Sequence, residues 1–209
     1  MRVRSESRRT AIVEAAASVF LEMGYEGASM NEVTRRTGGS KTTLYNYFAS
    51  KEALFAAVVD CYSTAHLGGA VTALQAPVED HESLRGVLLR FAENVLTVLT
   101  NDASALAVYR MVVGESGRSE VGKIFYESGP QQCVDALSQL LGAAMQLGVL
   151  READPVLRAS QLLSLTTAEC ERRVYQIAPE PLELGRVRAM AEAAVELFMQ
   201  GACPARPGT

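Results

Sequence analysis

The amino-acid sequence predicts an all-α protein of about nine helices. Apolar residues recur at i, i+3 and i+4 through most of the chain, and no stretch alternates with period two for long enough to make a strand. Cap residues, glycines and prolines interrupt the pattern at helical intervals.

The first stripe, Ile12, Ala15, Ala16, Val19, Phe20 and Met23, covers nearly three turns, and Gly24 sits where a C-terminal cap belongs. Leu54, Phe55, Val58, Val59 and Tyr62 repeat the pattern in a helix expected to end at Gly68-Gly69. After the loop QAPVED, a third stripe runs through Leu84, Val87, Leu88, Phe91, Val95 and Val98. Asn101-Asp102 closes it, and ALAVYRMVV begins another helix. Gly129-Pro130 predicts a break or kink before QQCVDALSQLLGAAMQLG. Asp154-Pro155 reads as an N-cap followed by proline at the first helical position. The last helix carries Val187, Met190, Ala191, Ala194, Val195 and Phe198.

Between residues 24 and 52 the elements are short and the caps crowd together. Ser29 with Glu32 fits a capping box, in which the serine accepts from an orphan amide while the glutamate reaches back. That box opens a short helix stopped by Thr37-Gly38-Gly39. Ser40 caps KTTLYNYF, and Ser50 caps the long helix from Lys51. Two short helices joined by a tight glycine turn are the sequence form of a helix-turn-helix, with the long first helix as the third wall of its core. The predicted organisation is a three-helix domain at 1–51 followed by a larger helical domain at 52–209.

The 209 residues carry 20 Lys+Arg and 24 Asp+Glu, a net charge of −4, with 48% hydrophobic and 21% charged residues, a balance that excludes a mainly disordered chain. No apolar run approaches the ~20 residues that span a bilayer. The opening MRVRSESRRT lacks the apolar stretch of a signal peptide, so a cytoplasmic protein without a membrane partner is expected. The net charge conceals a division: residues 1–51 sum to +3 and residues 52–209 to −7. Phosphate affinity depends on the local count of cations, and the basic part is the part that holds the short helices. Cys61, Cys133, Cys170 and Cys203 lie far apart in sequence, and His66 and His81 add no pair, so no metal or cofactor is expected. Gly38-Gly39 lacks a following GK[ST] pattern, and neither histidine sits in a nucleophile motif; no enzyme is expected.

On a helix, Leu44 and Phe48 fall on one face, directed at Phe20 and Val33. Lys41, Thr42, Tyr45 and Asn46 project from the other, a face with no acidic residue. Such a helix suits a major groove. There lysine donates to guanine acceptors, asparagine pairs with adenine, and threonine methyls meet thymine methyls. The hydroxyls of Thr43, Tyr45 and Tyr47 suit phosphate oxygens, contacts that set register without reading sequence. Lys51, at the start of the next helix, is also placed for phosphate. A solvated polar face with two half-buried tyrosines is the competing explanation of the same residues.

The run RRTAIVEAAASVFLEMGYEGASMNEVTRRTGGSKTTLYNYFASKEALF, residues 8–55, resembles the DNA-binding domain of TetR-family transcriptional regulators. The string SKTTLYNYFASKEALF is its most specific part. The resemblance implies base contacts by Lys41, Thr42, Tyr45 and Asn46. It implies phosphate contacts by Thr43, Tyr47 and Lys51, joined by Ser29 and Asn31 at the start of the preceding helix. The sequence departs from the family at the turn: alanine is usual where Thr34 and Thr37 stand, and an aliphatic residue where Gly39 stands. Those changes are expected to loosen the turn slightly. Farther on, LRGVLLRFAENVL, YRMVVGESGRSEVGKIFYESGP and LREADP are similar to the C-terminal domain of AefR-like members.

Membership of that family implies a homodimer on a palindromic operator, probed by two reading helices roughly 34–36 Å apart, and release when a small-molecule effector favours another spacing. The implied dimer seam is the last two helices, about 155–177 and 183–201. SQLLSLTTAEC is apolar on more than one face and the stripe 187–198 is unbroken by charge, although burial inside one subunit explains the same residues. Tyr62, His66, Phe91, Tyr109, Met111, Phe125 and Tyr126 are candidate pocket residues, because they place aromatic or polar groups on the middle helices. Plain core packing is the competing explanation for each. The family base rate favours a repressor. The alternatives are a helical small-molecule-binding protein without DNA-binding activity and a redox-responsive regulator using Cys61 or Cys133.

Overall fold

The computed structural model describes residues 2–203, with the side chains of 2–5 and 62–67 outside the description. Among the described residues the chain forms ten α-helices, one 3-10 helix and no strand. They are α1 (Arg2–Gly27), α2 (Met30–Thr37), α3 (Lys41–Tyr47), α4 (Lys51–Ala73), α5 (His81–Asn101), α6 (Ala103–Glu115), α7 (Val121–Ser128), α8 (Pro130–Gln146), α9 (Pro155–Thr167), the 3-10 helix (Ala168–Tyr175) and α10 (Leu184–Ala202). The count exceeds the expected nine because Gly129 (φ −148°, ψ −74°) and Pro130 cut the short α7 away from α8.

Local chemistry explains most boundaries. Gly24 adopts φ 69° and ψ 170°, which kinks α1 rather than ending it outright, and Gly38 caps α2 at φ 64°; both conformations strain any residue with a Cβ. Asp80 and Ser83 form a reciprocal capping box at the start of α5. Asp154 accepts from the amides of Val156 and Leu157, with Pro155 at the first helical position of α9.

The chain divides into two compact units, residues 1–65 with 107–129, and residues 66–106 with 130–209. In the first, α1–α3 and the start of α4 enclose a core of Ile12, Ala16, Val19, Phe20, Tyr25, Val33, Leu44, Phe48, Leu54 and Phe55. Val108 and Val112 of α6 and Val121 of α7 join that same core. Phe20 and Tyr25 stack at its centre and Phe55 meets both edge-on, with ring centroids 5.2–5.7 Å apart. In the second unit, Leu84, Leu88, Phe91 and Leu96 of α5 pack with Leu137 and Leu141 of α8, Leu162 of α9, and Val187, Met190, Val195 and Phe198 of α10.

Four expectations need correction. Met23, read as part of the α1 stripe, is 47% exposed, since the kink at Gly24 ends the face that its neighbours bury. Gly68-Gly69 does not stop α4, which continues to Ala73 because Ala70 is drawn into the second core. The helix expected over about 155–177 is α-helical only to Thr167. Beyond it Cys170 and Arg173, both buried, lie three apart, the spacing that 3-10 geometry aligns on one face. Arg173 Nη2 donates to the carbonyls of Thr100 (2.9 Å) and Glu180 (2.7 Å), which holds that turn. Lastly, the charge-free stripe Val187 to Phe198 belongs to the subunit's own core.

Candidate nucleic-acid interface

The first unit fixes α3 from three sides. Ser29 accepts from the Glu32 amide at 3.2 Å, and Ser40 accepts from the Thr43 amide at 3.1 Å. The Phe48 amide donates to the Leu44 carbonyl at 3.0 Å and ends the helix. Leu44 and Phe48 are buried in the core with Phe20 and Val33, as their spacing predicts. Leucine and phenylalanine on the inside force the rest outward: Lys41, Thr42, Tyr45 and Asn46 are exposed, Tyr45 by 49%, and Thr43 and Tyr47 are half-buried at the edge. Ser29 and Asn31 are exposed at the start of α2. Thr43 Oγ1 lies 2.9 Å from Ser40 Oγ, so part of its hydrogen-bonding capacity goes to the cap.

The threonines that depart from the family pattern are satisfied locally. Thr34 donates to the Met30 carbonyl at 2.8 Å and Thr37 to the Thr34 carbonyl at 3.2 Å. Gly39 is not left as a gap either, because the guanidinium of Arg8 lies over its α-carbon.

Charge is distributed less evenly than the composition implies. The Glu32 carboxylate does not close the capping box; it pairs with Arg35 (2.6 and 2.9 Å) and with Arg36 Nε (3.2 Å). Arg36 also grips Glu22 through both terminal nitrogens at 2.6 and 2.7 Å, a two-pronged bond matched to carboxylate geometry. The hydrogen bonds from Arg35 and Arg36 hold the Glu32 carboxyl down to about 2, and Arg36 likewise lowers Glu22. Both arginines of α2 are therefore paired with carboxylates of their own domain, Arg35 at its surface. Lys41, by contrast, has no ion pair among the described residues. Lys41 is the cation that α3 itself presents, and Arg8 and Arg9 of α1 add two more to the unit. Arg9 stands 5.3 Å from the centre of the Phe48 ring.

Lys51 was expected to face phosphate. Its ammonium donates to the Tyr25 carbonyl at 2.9 Å and sits 4.2 Å from the centre of the Tyr25 ring. Tyr25 Oη in turn donates to Glu52 at 3.2 Å, and burial, then the charge of Glu52, push the phenol well above its ordinary value. Lys51 thus ties the end of α1 to the start of α4 with one of its three protons. Glu115 Oε2 is buried without a hydrogen bond. Neither this cluster nor the Arg8–Gly39 contact was legible in the spacing of motifs, since both join residues distant in sequence.

The proposed pocket residues fall in different places. Phe91 is wholly buried in the core of the second unit. In the first, Tyr109 of α6 and Phe125 of α7 face each other with centroids 6.0 Å apart, Met111 and Phe125 pack half-buried on the core, and Tyr126 is exposed. The side chains of Tyr62 and His66 lie outside the described residues. On the outer side of α9 and α10, an open groove of about 610 Å³ is lined by Leu157, Arg158, Ser160, Gln161, Ser164, Leu165, Leu197, Phe198 and Gly201. No group of three or more potential metal ligands occurs among the described residues, and no helix of the described residues is long and apolar enough to cross a membrane.

Residues 12–58 match the N-terminal model of the tetR family of bacterial regulatory proteins, and residues 86–201 match the C-terminal domain of AefR-like transcriptional repressors. The chain is 33% identical over 90 residues to the HTH-type transcriptional activator FasR of Mycolicibacterium smegmatis, covering 43% of this chain and 41% of that one. It is 53% identical over 49 residues to the A-factor receptor protein of Streptomyces griseus, covering 23% of this chain and 18% of that one. The matches therefore span less than half the length of these curated relatives. Among solved structures, the Flavonoid-responsive Regulator FrrA superposes with a TM-score of 0.79 at 30% identity, covering 96% of this chain and 100% of that one. A TetR-family regulator from Mesorhizobium loti superposes with a TM-score of 0.76 at 24% identity, covering 96% and 99%. The chain belongs to the TetR family of bacterial regulatory proteins, with a C-terminal domain of the AefR-like type.

Proposed function

We propose that the chain is a homodimeric, sequence-specific DNA-binding regulator working in the cytoplasm as a repressor, which leaves a palindromic operator when a small molecule binds. The observation that carries this reading is the outward face of α3, where Lys41, Thr42, Tyr45 and Asn46 stand exposed with no acid among them. In this reading those four side chains read base edges, while Ser29, Asn31, Thr43, Tyr47 and Lys51 hold phosphates. Residues 1–51 read DNA, and 52–209 bind the effector and the second subunit. No catalytic step is involved, so the chain acts as a regulator and not as an enzyme. Of the two cysteines in the redox alternative, Cys133 is buried, and burial pushes its thiol up to about 11, away from the thiolate that oxidation needs, while Cys61 is exposed.

Release follows from the shared core of the first unit. Val108, Val112 and Val121 pack with Phe20, Phe55 and Val58, so a ligand that shifts α6 or α7 shifts the reading helices with them. An amphipathic aromatic effector fits the Tyr109–Phe125 pair, and the likeness to a flavonoid-responsive regulator supports planar polyphenols as the first class to test. In this reading the partner subunit covers the groove outside α9 and α10, a seam supported by Leu157 and Leu197, which are 55% and 57% exposed.

The test is binding to the duplex upstream of the chain's own coding region, set against a mixed-sequence duplex. Lys41→Ala with Asn46→Ala should weaken the upstream complex about ten-fold or more and the mixed-sequence complex far less, because base contacts are worth about 1–3 kcal/mol each. Unchanged retention of the upstream duplex would overturn the assignment of α3.

A further inference from the structure

Gly39 leaves bare backbone against which the end of the Arg8 side chain rests, and its own backbone does not call for glycine. Its φ lies outside the left-handed range that Gly38 occupies at 64°, so an L-residue fits the conformation. A Cβ built there, however, would overlap Nη2 of Arg8, whose Cζ is 3.7 Å away, with Thr37 Oγ1 at 3.9 Å. The arginine is half-buried, and among the described residues its guanidinium has no hydrogen bond or ion pair. Arg35 and Arg36 differ in this respect, since both are neutralised by Glu22 and Glu32.

A guanidinium carries five donors in a rigid fork, and holding it partly out of water without a partner is unfavourable unless an anion completes it. The position is specific: Gly39 adjoins Ser40, the cap of α3, and the next residues, Lys41 and Thr42, are exposed on the reading face. A planar cation seated on bare backbone beside that face matches one ligand chemistry, a phosphate oxygen pair.

We propose that Arg8 is a DNA-phosphate contact whose position depends on the missing side chain at Gly39, so that the two residues form one unit. The proposal rests on α3 as the DNA-reading helix. It turns the departure at Gly39 from a loosened turn into a seat for a cation delivered from α1. The fork adds affinity and register for any sequence, and no base discrimination.

The experiment measures binding of the full chain to the upstream duplex and to a mixed-sequence duplex by fluorescence anisotropy, from about 50 to about 200 mM salt. Arg8→Met keeps the length and apolar cover but not the charge. It should lower the slope of log K against log salt by about 0.9 and weaken binding about eight-fold near 0.1 M salt, by the same factor on both duplexes. Gly39→Ala retains every charge and only displaces the flexible end of Arg8, so it should weaken both complexes by about three-fold, with a double variant no weaker than Arg8→Met alone. Arg8→Lys should restore the slope, which a merely space-filling arginine would not require. An Arg8→Met protein with unchanged slope and affinity overturns the contact. A Gly39→Ala protein that binds like the parent while Arg8→Met is weakened overturns the pairing. Parent protein that binds neither duplex in a salt-dependent way overturns the DNA-reading function itself, a result distinct from both.

Discussion

Lys51→Met separates two roles that one side chain combines. The substitution removes an ammonium that donates to the Tyr25 carbonyl at 2.9 Å and lies 4.2 Å from the centre of the Tyr25 ring. A hydrogen bond from a charged donor contributes about 1.5–3 kcal/mol net, and a cation over a ring about 0.5–1 kcal/mol where it is partly exposed. Methionine preserves the aliphatic cover, and Lys51 is only half-buried, so the sum falls near the lower end, about 2 kcal/mol. Unfolding 209 residues at about 2.1 cal/mol/K each gives an entropy near 0.44 kcal/mol/K, which converts that loss to a Tm lower by about 4–5 °C. The tether uses one of three ammonium protons and leaves two for phosphate, so the salt slope of DNA binding should also fall by about 0.9. Thermal unfolding followed by circular dichroism reads the first effect, and anisotropy across a salt series reads the second. A Tm within about 1 °C of the parent refutes the tether argument. A lowered Tm with an unchanged slope leaves Lys51 purely structural and removes it from the phosphate contacts.

The remaining predictions concern acid stability and assembly. Glu32 is held down to about 2 from an ordinary 4.5, so its stabilising effect is complete above about 4.5 and is lost as pH falls toward 2. Urea unfolding across that window should show a falling midpoint for the parent and a flatter profile for Glu32→Gln; parallel profiles would mean that the Arg35 and Arg36 pairs do not form in solution. Leu157→Asp combined with Leu197→Asp alters two exposed side chains, so the subunit fold should be nearly unaffected. An interface closed over that groove would bury both charges unpaired, and light scattering should then report monomers. A persistent dimer would place the seam elsewhere.

Local chemistry made the N-terminal domain legible. Ser29, Ser40 and Ser50 cap helices because a hydroxyl and an amide three residues on always lie close, and Leu44 and Phe48 turn inward because four residues make about one turn. Those short-range rules sufficed to identify α3 and its outward face, and the family came from the resemblance of residues 8–55. They could not say where any long side chain ends. Arg35 and Arg36 raise the charge of the domain on paper, yet Glu22 and Glu32 cancel them. The stripe from Val187 to Phe198 offers apolar residues to any partner, and only packing against α5, α8 and α9 shows that the subunit keeps it for itself. Lys51 meets Tyr25, and Arg8 meets Gly39, across dozens of residues that the fold alone brings together. The sequence by itself determined most of the helices, their serine caps and the two faces of α3, because each follows from neighbours within one or two turns. The tertiary structure decided which charges stay unpaired and which apolar faces stay uncovered, because those depend on contacts whose sequence separation carries no periodic signal.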